Sequence, residues 1–202
     1  MEFAELAGTV IFAISGVIAV AERRIDWFGA IVVGVVAAVG GGTLRDLILG
    51  QTPVFWIQDM TYLGFAVAGS VLAIPLVARL GNSTTRFEEG LQLADAMGLA
   101  LFSVVGASLT LALDQSGAVA VTCGILTGVG GGVIRDLLVG QTPLIMRSEI
   151  YATAALAGTI VFVLLDDTTG LPLWLSSTVG MLIVFGLRLA GLRKQWSLPE
   201  LR

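Results

Sequence analysis

Histidine is absent from this sequence, and cysteine occurs once. The first absence excludes His-ligated metals, His-based catalytic triads and histidine proton relays. The second excludes an intrachain disulfide, which leaves Cys123, inside an apolar stretch, as a small packing residue. Charge is scarce as well. Charged residues make up 13% of the chain, where a soluble domain carries about a quarter. The net charge is only -4 and no basic run is present, so nucleic acid is not an expected partner. No Gly-Lys-Ser/Thr phosphate loop, zinc-ligand spacing or nucleophile–base arrangement appears. The chain is therefore not expected to be an enzyme or to carry a cofactor.

What the sequence does have is long apolar runs. Hydrophobic residues are 56% of the 202 and glycine is frequent at 26. Such a balance suits a solvent that tolerates apolar surface all round, namely the bilayer. Runs of membrane-spanning length predict seven helices, at about 3–21, 28–50, 60–78, 91–113, 117–139, 150–165 and 172–191. Ala19-Val20-Ala21 faintly resembles a signal cleavage site. However, the chain opens with Glu2 and Glu5 instead of a basic region, and Arg23-Arg24 follow, as in a retained first span.

Seven spans put the termini on opposite sides. With the N-terminus outside, the cytoplasmic segments carry Arg23, Arg24, Arg79, Arg86, Arg147, Arg188, Arg193, Lys194 and Arg202, and the external segments carry no basic residue. The positive-inside rule thus predicts a multi-pass protein of the cytoplasmic (inner) membrane with its C-terminus in the cytoplasm. Trp27, Trp56, Trp174, Trp196, Tyr62 and Tyr151 fall near span ends, where an aromatic belt is expected.

The chain also repeats itself. Gly40-Gly-Gly-Thr-Leu-Arg-Asp-Leu-Ile-Leu-Gly-Gln-Thr-Pro53 matches Gly130 to Pro143 at ten of fourteen positions, at an offset of 90 residues. The same offset pairs Glu5 with Asp95, Gly8 with Gly98, Phe12 with Phe102, Gly16 with Gly106, Gly34 with Gly124 and Asp59 with Glu149. Each copy holds three spans, an odd number, so the second copy enters the membrane from the opposite face. The expected fold is an all-α integral membrane protein in one membrane domain. Repeat 1 runs over about 3–78, a polar linker over 79–92 and repeat 2 over about 91–165. A seventh helix at 172–191 without a partner and a short cytoplasmic tail at 192–202 complete it.

Gly40, Gly41 and Gly42, and Gly130, Gly131 and Gly132, lower the cost of non-helical angles within a span. Two broken helices are therefore expected, their freed backbone groups facing protein or a watery cavity. The plainer alternative is that the glycines permit close helix packing. Arg45, Asp46, Arg135 and Asp136 are ionisable groups at membrane depth, where each costs at least about 2.5–3.5 kcal/mol and needs a partner or water. Neighbours in sequence do not face one another on a helix, so these charges are expected to pair across the repeat interface or to line a cavity. Glu5 and Asp95 are candidates for drawing cations to a pore entrance at either membrane face; alternatively they complement helix dipoles. Thr9, Ser15, Thr43, Ser103, Ser108, Thr122 and Thr127 are candidates for a wet path, or for bonds within their own helices. Gln51-Thr52-Pro53 and Gln141-Thr142-Pro143 read as turns closing the two motif spans.

The duplicated Gly-Gly-Gly-x-x-Arg-Asp, the seven spans and the external N-terminus resemble the prokaryotic TRIC (trimeric intracellular cation) channels over about residues 3–190. That resemblance implies a homotrimer in membrane lipid, with a potassium-permeable pore for monovalent cations in each protomer and no tightly bound metal. It places Gly40, Gly41, Gly42, Arg45 and Asp46 along one half of the pore, and Gly130, Gly131, Gly132, Arg135 and Asp136 along the other. The long charged tail of the animal members is missing, so no role of that tail carries over. Inverted repeats with broken helices are also the architecture of alternating access. Bacterial relatives of this fold have been linked to glycine uptake, which keeps a small-solute carrier as the rival reading.

Overall fold

The computed structural model of the chain describes residues 1–202 except Glu22, Arg24, 81–83, 148–149 and 195–202, and gives Leu80 and Thr84 by backbone alone. Arg24, Trp196, Arg202, the Gly81-Asn82-Ser83 part of the linker, and Glu149 with its pairing to Asp59 lie outside the described residues. Among those described, every element is helical: α1 (Glu2–Ala19), α2 (Trp27–Ile48), α3 (Phe55–Gln58), α4 (Thr61–Leu80), α5 (Thr84–Leu111), α6 (Gly117–Leu138), α7 (Leu144–Arg147), α8 (Ala152–Thr168) and α9 (Leu173–Lys194). Six of the seven long helices are long and apolar enough to cross a membrane. The other, α8, has 17 residues and ends on Asp166, Asp167 and Thr168.

The linker expectation changes in one respect. Helix α4 continues to Leu80 and α5 starts at Thr84, so most of 79–92 is helical. With 28 residues, α5 is about 42 Å long at 1.5 Å per residue, well beyond a hydrocarbon core of about 30 Å. Its first turns carry Arg86, Glu88 and Glu89, all exposed, as befits a helix end that projects from the membrane.

Helices α1, α2 and α4 form one bundle and α5, α6 and α8 the other, with α9 packed on α5 and α8. Contacts between the bundles show the inversion. A Cβ placed on Gly8 would lie 2.8 Å from the Phe102 ring, and one on Gly98 would lie 2.8 Å from the Phe12 ring. Residue 8 thus meets 102 while 12 meets 98, so α1 and α5 run antiparallel. Helices α2 and α6 behave alike: a Cβ on Gly41 would strike the carbonyl oxygen of Thr127, and one on Gly131 that of Ala37. Ala37 and Thr127 are themselves 90 residues apart, so the two contacts are one contact repeated about a pseudo-two-fold axis.

This crossing corrects the expectation of broken helices. Both α2 and α6 are continuous through their glycine triplets. The glycines serve close approach: a backbone carbonyl of one helix occupies the space a side chain would take on the other. The first glycine of each triplet receives a side chain from the opposite repeat, Ile134 on Gly40 and Leu44 on Gly130. Dispersion between closely packed backbones favours the intact helix, which also keeps every hydrogen bond inside the bilayer satisfied.

The belt expectation holds in part. Trp27 and Trp174 are 75% and 67% exposed at the starts of α2 and α9. Tyr151 is buried inside the bundle, so it is no interface anchor. Cys123 is free and buried, as a packing residue would be.

Candidate functional site

Each motif helix ends in the same way. In α2 the Gln51 N–H donates to the Asp46 carbonyl at 2.8 Å and the Gly50 N–H to that of Leu47 at 3.3 Å, with Gly50 at φ +69°. In α6 the Gln141 N–H reaches the Asp136 carbonyl at 2.8 Å and the Gly140 N–H that of Leu137 at 3.1 Å, with Gly140 at φ +68°. These are Schellman terminations, and the left-handed residue is why glycine stands at both positions. The turn brings the chain back onto the aspartate it has just left. Asp46 Oδ2 accepts the N–H of Phe55 at 2.8 Å, and Asp136 Oδ2 that of Leu144 at 2.8 Å. Each aspartate so holds the first residue of a short helix, α3 or α7.

The other oxygen of each aspartate holds the preceding arginine. Arg45 donates to Asp46 Oδ1 from Nε at 2.8 Å and from Nη2 at 2.6 Å. Arg135 Nε lies 2.9 Å and its Nη2 2.8 Å from Asp136 Oδ1. The expectation that adjacent residues would be poor partners is therefore wrong here. Successive Cα atoms are only about 3.8 Å apart, and an arginine is long enough to fold back beside the helix. The geometric rule compares the directions in which side chains leave the helix, not how far they can bend.

Beyond this shared core the halves differ. Arg135 donates from Nη1 to Asp95 Oδ1 and to Ser15 Oγ, both at 3.0 Å, so one arginine ties α6 to α5 and to α1 of the other repeat. Arg135, Asp95, Asp136 and Ser15 are all buried. Arg188 of α9, fully buried, lies over the Tyr151 ring at 4.9 Å, with Asp95 within electrostatic reach. The third glycine makes room for this cluster, since a Cβ on Gly132 would lie 3.0 Å from Asp95 Oδ1 and 3.1 Å from the Tyr151 hydroxyl.

At the Glu5 end the arginine is less enclosed. Arg45 sits over the Phe55 ring at 5.7 Å, and Phe55 packs edge-on against Tyr62 at 5.0 Å. The Tyr62 hydroxyl donates to the Glu5 carboxylate. Glu5, Thr9, Gly42, Arg45, Phe55, Tyr62, Phe102, Val105 and Thr127 line a narrow cavity of about 10 Å³, room for a water. A second cavity, of about 140 Å³, is lined by Ile18, Phe87, Glu88, Gln92, Leu144 and Arg147 among others. It reaches Leu144, whose N–H is bonded to Asp136.

The two candidate entrance carboxylates thus part company. Glu5 lines a cavity, whereas Asp95 is completely buried eleven residues into α5 and bound to Arg135. A burial this deep is not an entrance. Most of the candidate hydroxyls bond within their own helices: Thr9 to the Glu5 carbonyl, Thr43 to Val39, Thr122 to Ala118 and Thr127 to Cys123. Ser15 does so too, to Phe12, and it also accepts from Arg135.

Arg188 and Tyr151 were missed as site residues. The positive-inside count takes Arg188 as a cytoplasmic charge, yet its place inside the predicted seventh span is the signal in the sequence that it is a buried one. Removing it from the charge count leaves eight of the nine arginines and lysines on the predicted cytoplasmic side. Tyr62 and Phe55 gave no signal beyond nearness to a span end.

The family described as "Glycine transporter" matches residues 2–78 and again 92–167, so each repeat is matched in turn. The inner membrane protein YadS of Escherichia coli K12, of the UPF0126 group, is 43% identical over 195 residues, covering 96% of this chain and 93% of its own. A UPF0126 membrane protein of Vibrio cholerae is 40% identical over 199 residues, covering 96% and 80%. The solved TRIC trimeric intracellular cation channel orthologue from Rhodobacter sphaeroides superposes with a TM-score of 0.89 at 38% identity, covering 96% of this chain and 97% of that one. A prokaryotic TRIC channel solved in 0.5 M KCl gives a TM-score of 0.87 at 29% identity, with 98% of each chain covered. The fold and the paired motif define a multi-pass, all-helical membrane protein of the TRIC type. The chain belongs to the prokaryotic family that joins the UPF0126 membrane proteins with the TRIC channels.

Proposed function

We propose that this protein is a cation channel, permeable to potassium and other monovalent cations, with one path in each protomer of a homotrimer. The path runs between the inverted repeats along α2 and α6, from the Glu5 cavity past the motif to the cavity at Leu144. The observation that carries this reading is the pair of buried Arg–Asp units at the repeat interface, one opening onto a cavity that bears a carboxylate. The likeness to the solved TRIC channels supports it. Cations enter where carboxylates outweigh arginines, and carbonyl and carboxylate oxygens replace part of their hydration.

Seven spans cross the cytoplasmic membrane in this reading, with the shorter α8 included and the N-terminus outside. The Glu5 end is then the outer end and the Asp95 end the inner one. Arg23, Arg79, Arg86, Arg147, Arg193 and Lys194 lie on the cytoplasmic side, as the positive-inside rule requires.

The description of the matching family favours a second reading, a carrier for a small amino acid such as glycine. Continuous α2 and α6 remove one argument for it, because the broken helices common in alternating-access carriers are not seen here. Single-channel recording of the purified protein in planar bilayers decides between them. Unitary currents under a potassium gradient are expected. Saturable, coupled glycine flux without unitary events would instead establish the carrier.

A further inference from the structure

The two motif aspartates hold different residues at the head of their short helices. Asp136 Oδ2 holds Leu144, which lines the cavity of about 140 Å³. Asp46 Oδ2 holds Phe55, and the cavity that this ring lines is only about 10 Å³. The ring lies in the notch of the third motif glycine, where a Cβ on Gly42 would be 2.6 Å from Phe55 Cε1. The Arg45 guanidinium covers its face at 5.7 Å, and Tyr62 packs edge-on at 5.0 Å. It therefore fills the space between Gly42 of α2 and Tyr62 of α4, beside Glu5 and Thr9.

A side-chain bond holds the ring there. Trp56, the next residue of α3, donates from Nε1 to Thr43 Oγ1 on α2 at 3.0 Å. The Thr43 hydroxyl donates in turn to the Val39 carbonyl at 2.7 Å, which leaves its oxygen turned to accept. Ninety residues on, the counterpart of Thr43 is Val133, which has no hydroxyl. The inner short helix has no such latch.

We infer that Phe55 is the plug of the outer half of the path, and that α3 is the lid that carries it, latched by Trp56 on Thr43. The inference rests on the channel reading and names the residue that limits passage within it. A cation gives up its water only where other oxygens replace it. The outer cavity has room for about one water, so an ion cannot take its hydration shell past the ring. A phenyl ring offers no oxygen in exchange, and the face that could attract a cation already bears Arg45. Apolar constrictions of this kind gate by excluding water. The lid is able to move because little ties it down. It has four residues and none of them is buried, and elements with few buried contacts open at low cost. Trp56 is a positioning residue, since it acts through Phe55 and lines neither cavity.

Planar-bilayer recording of the full-length protein in symmetric KCl is the test. Phe55→Ala is expected to raise the mean potassium current severalfold. Phe55→Leu, which gives the outer half the residue type held in the inner one, is expected to raise it less. Thr43→Val removes the latching hydroxyl at nearly the same shape, and should raise the open fraction severalfold at unchanged unitary current. Thr43→Ser keeps the hydroxyl and is expected to restore the parental open fraction. Phe162→Ala deletes a buried ring that lines neither cavity, and should not raise the current. If Phe55→Ala does not assemble, Phe55→Leu carries the test alone. A conducting parent whose current is unmoved by loss of the ring overturns the inference. So does a Phe162→Ala protein that opens as Phe55→Ala does, or a Thr43→Ser protein as open as Thr43→Val. Silence of the parent and of both Phe55 variants alike would instead sink the channel reading.

Discussion

Phe12 and Phe102, equivalent residues of the two repeats, stack on each other with ring centroids 5.3 Å apart and planes inclined by 15°. Each ring fills the notch left by a glycine of the other repeat, Gly98 for Phe12 and Gly8 for Phe102. Both are buried, so truncation leaves a cavity at the pseudo-two-fold axis. Phe12→Ala and Phe102→Ala are each expected to cost about 3–5 kcal/mol, the usual range for a buried phenylalanine. Because the two rings contact each other, the double variant should cost less than the sum. Denaturant unfolding in detergent, followed by tryptophan fluorescence, measures all three; strictly additive losses would show that the rings do not act as a pair.

The crossing of α2 and α6 makes a sharper prediction. Gly41→Ala and Gly131→Ala each drive a methyl into a backbone carbonyl, which cannot rotate away. Each is expected to destabilise by about 1–3 kcal/mol or more, the cost of overpacking a close contact. Gly64 in α4 has nothing within 4 Å of its missing Cβ. Gly64→Ala should therefore be neutral or gain up to about 1 kcal/mol of helix propensity. Thermal stability of the detergent-solubilised protein ranks the three, and a Gly41→Ala protein as stable as the Gly64→Ala one would refute the crossing.

These glycines also mark where sequence reasoning stops. The duplication, the inversion and the membrane setting were legible because an odd span count and a 90-residue offset leave one topology. The structure of the triplet was not, since glycine serves both a break and a close approach, and only the neighbour decides. Here the neighbour is a carbonyl of Thr127 or Ala37. Likewise, Arg45 and Arg135 were visible as buried charges, but their partners were not. Side-chain length lets an arginine reach residue i+1 as readily as another helix. Arg188 escaped because an arginine three residues from the end of the predicted span reads as one that reaches the membrane surface, and only the packing of α9 shows its side chain buried against Tyr151.

Asp46 and Asp136 each bridge an arginine and a backbone N–H, yet their surroundings differ. Asp136 sits in the fully enclosed cluster, whereas Arg45 beside Asp46 lines a cavity. Asp136→Ala leaves Arg135 with Asp95 and Ser15 on Nη1 and nothing in place of the carboxylate beside Nε and Nη2, and is expected to cost about 3–5 kcal/mol, as removal of one member of a buried ion pair does. Asp46→Ala is expected to cost less, because Arg45 can be hydrated from the cavity. Its larger effect should be on permeation: an uncompensated arginine in the path repels cations, so unitary potassium conductance should fall. Unchanged conductance in both variants would remove the carboxylates from the pore.

Glu5 supplies the last prediction, because it is the carboxylate that lines the outer cavity, where it accepts from the Tyr62 hydroxyl and forms no ion pair with an arginine among the described residues. Glu5→Gln keeps the size and an acceptor for that hydroxyl while removing the charge. If Glu5 concentrates cations at the outer end, the variant should lower unitary potassium conductance severalfold in dilute KCl. The loss should shrink in concentrated salt, as the Debye length falls from about 30 Å at 0.01 M to about 3 Å at 1 M. Tyr62→Phe leaves the charge and frees the carboxylate from its donor, so conductance at low salt should be kept or raised. Recording both variants across a range of KCl concentrations separates a field effect from a packing effect. A salt-independent loss in Glu5→Gln would assign Glu5 to holding α1 against α4 through Tyr62, not to drawing ions in.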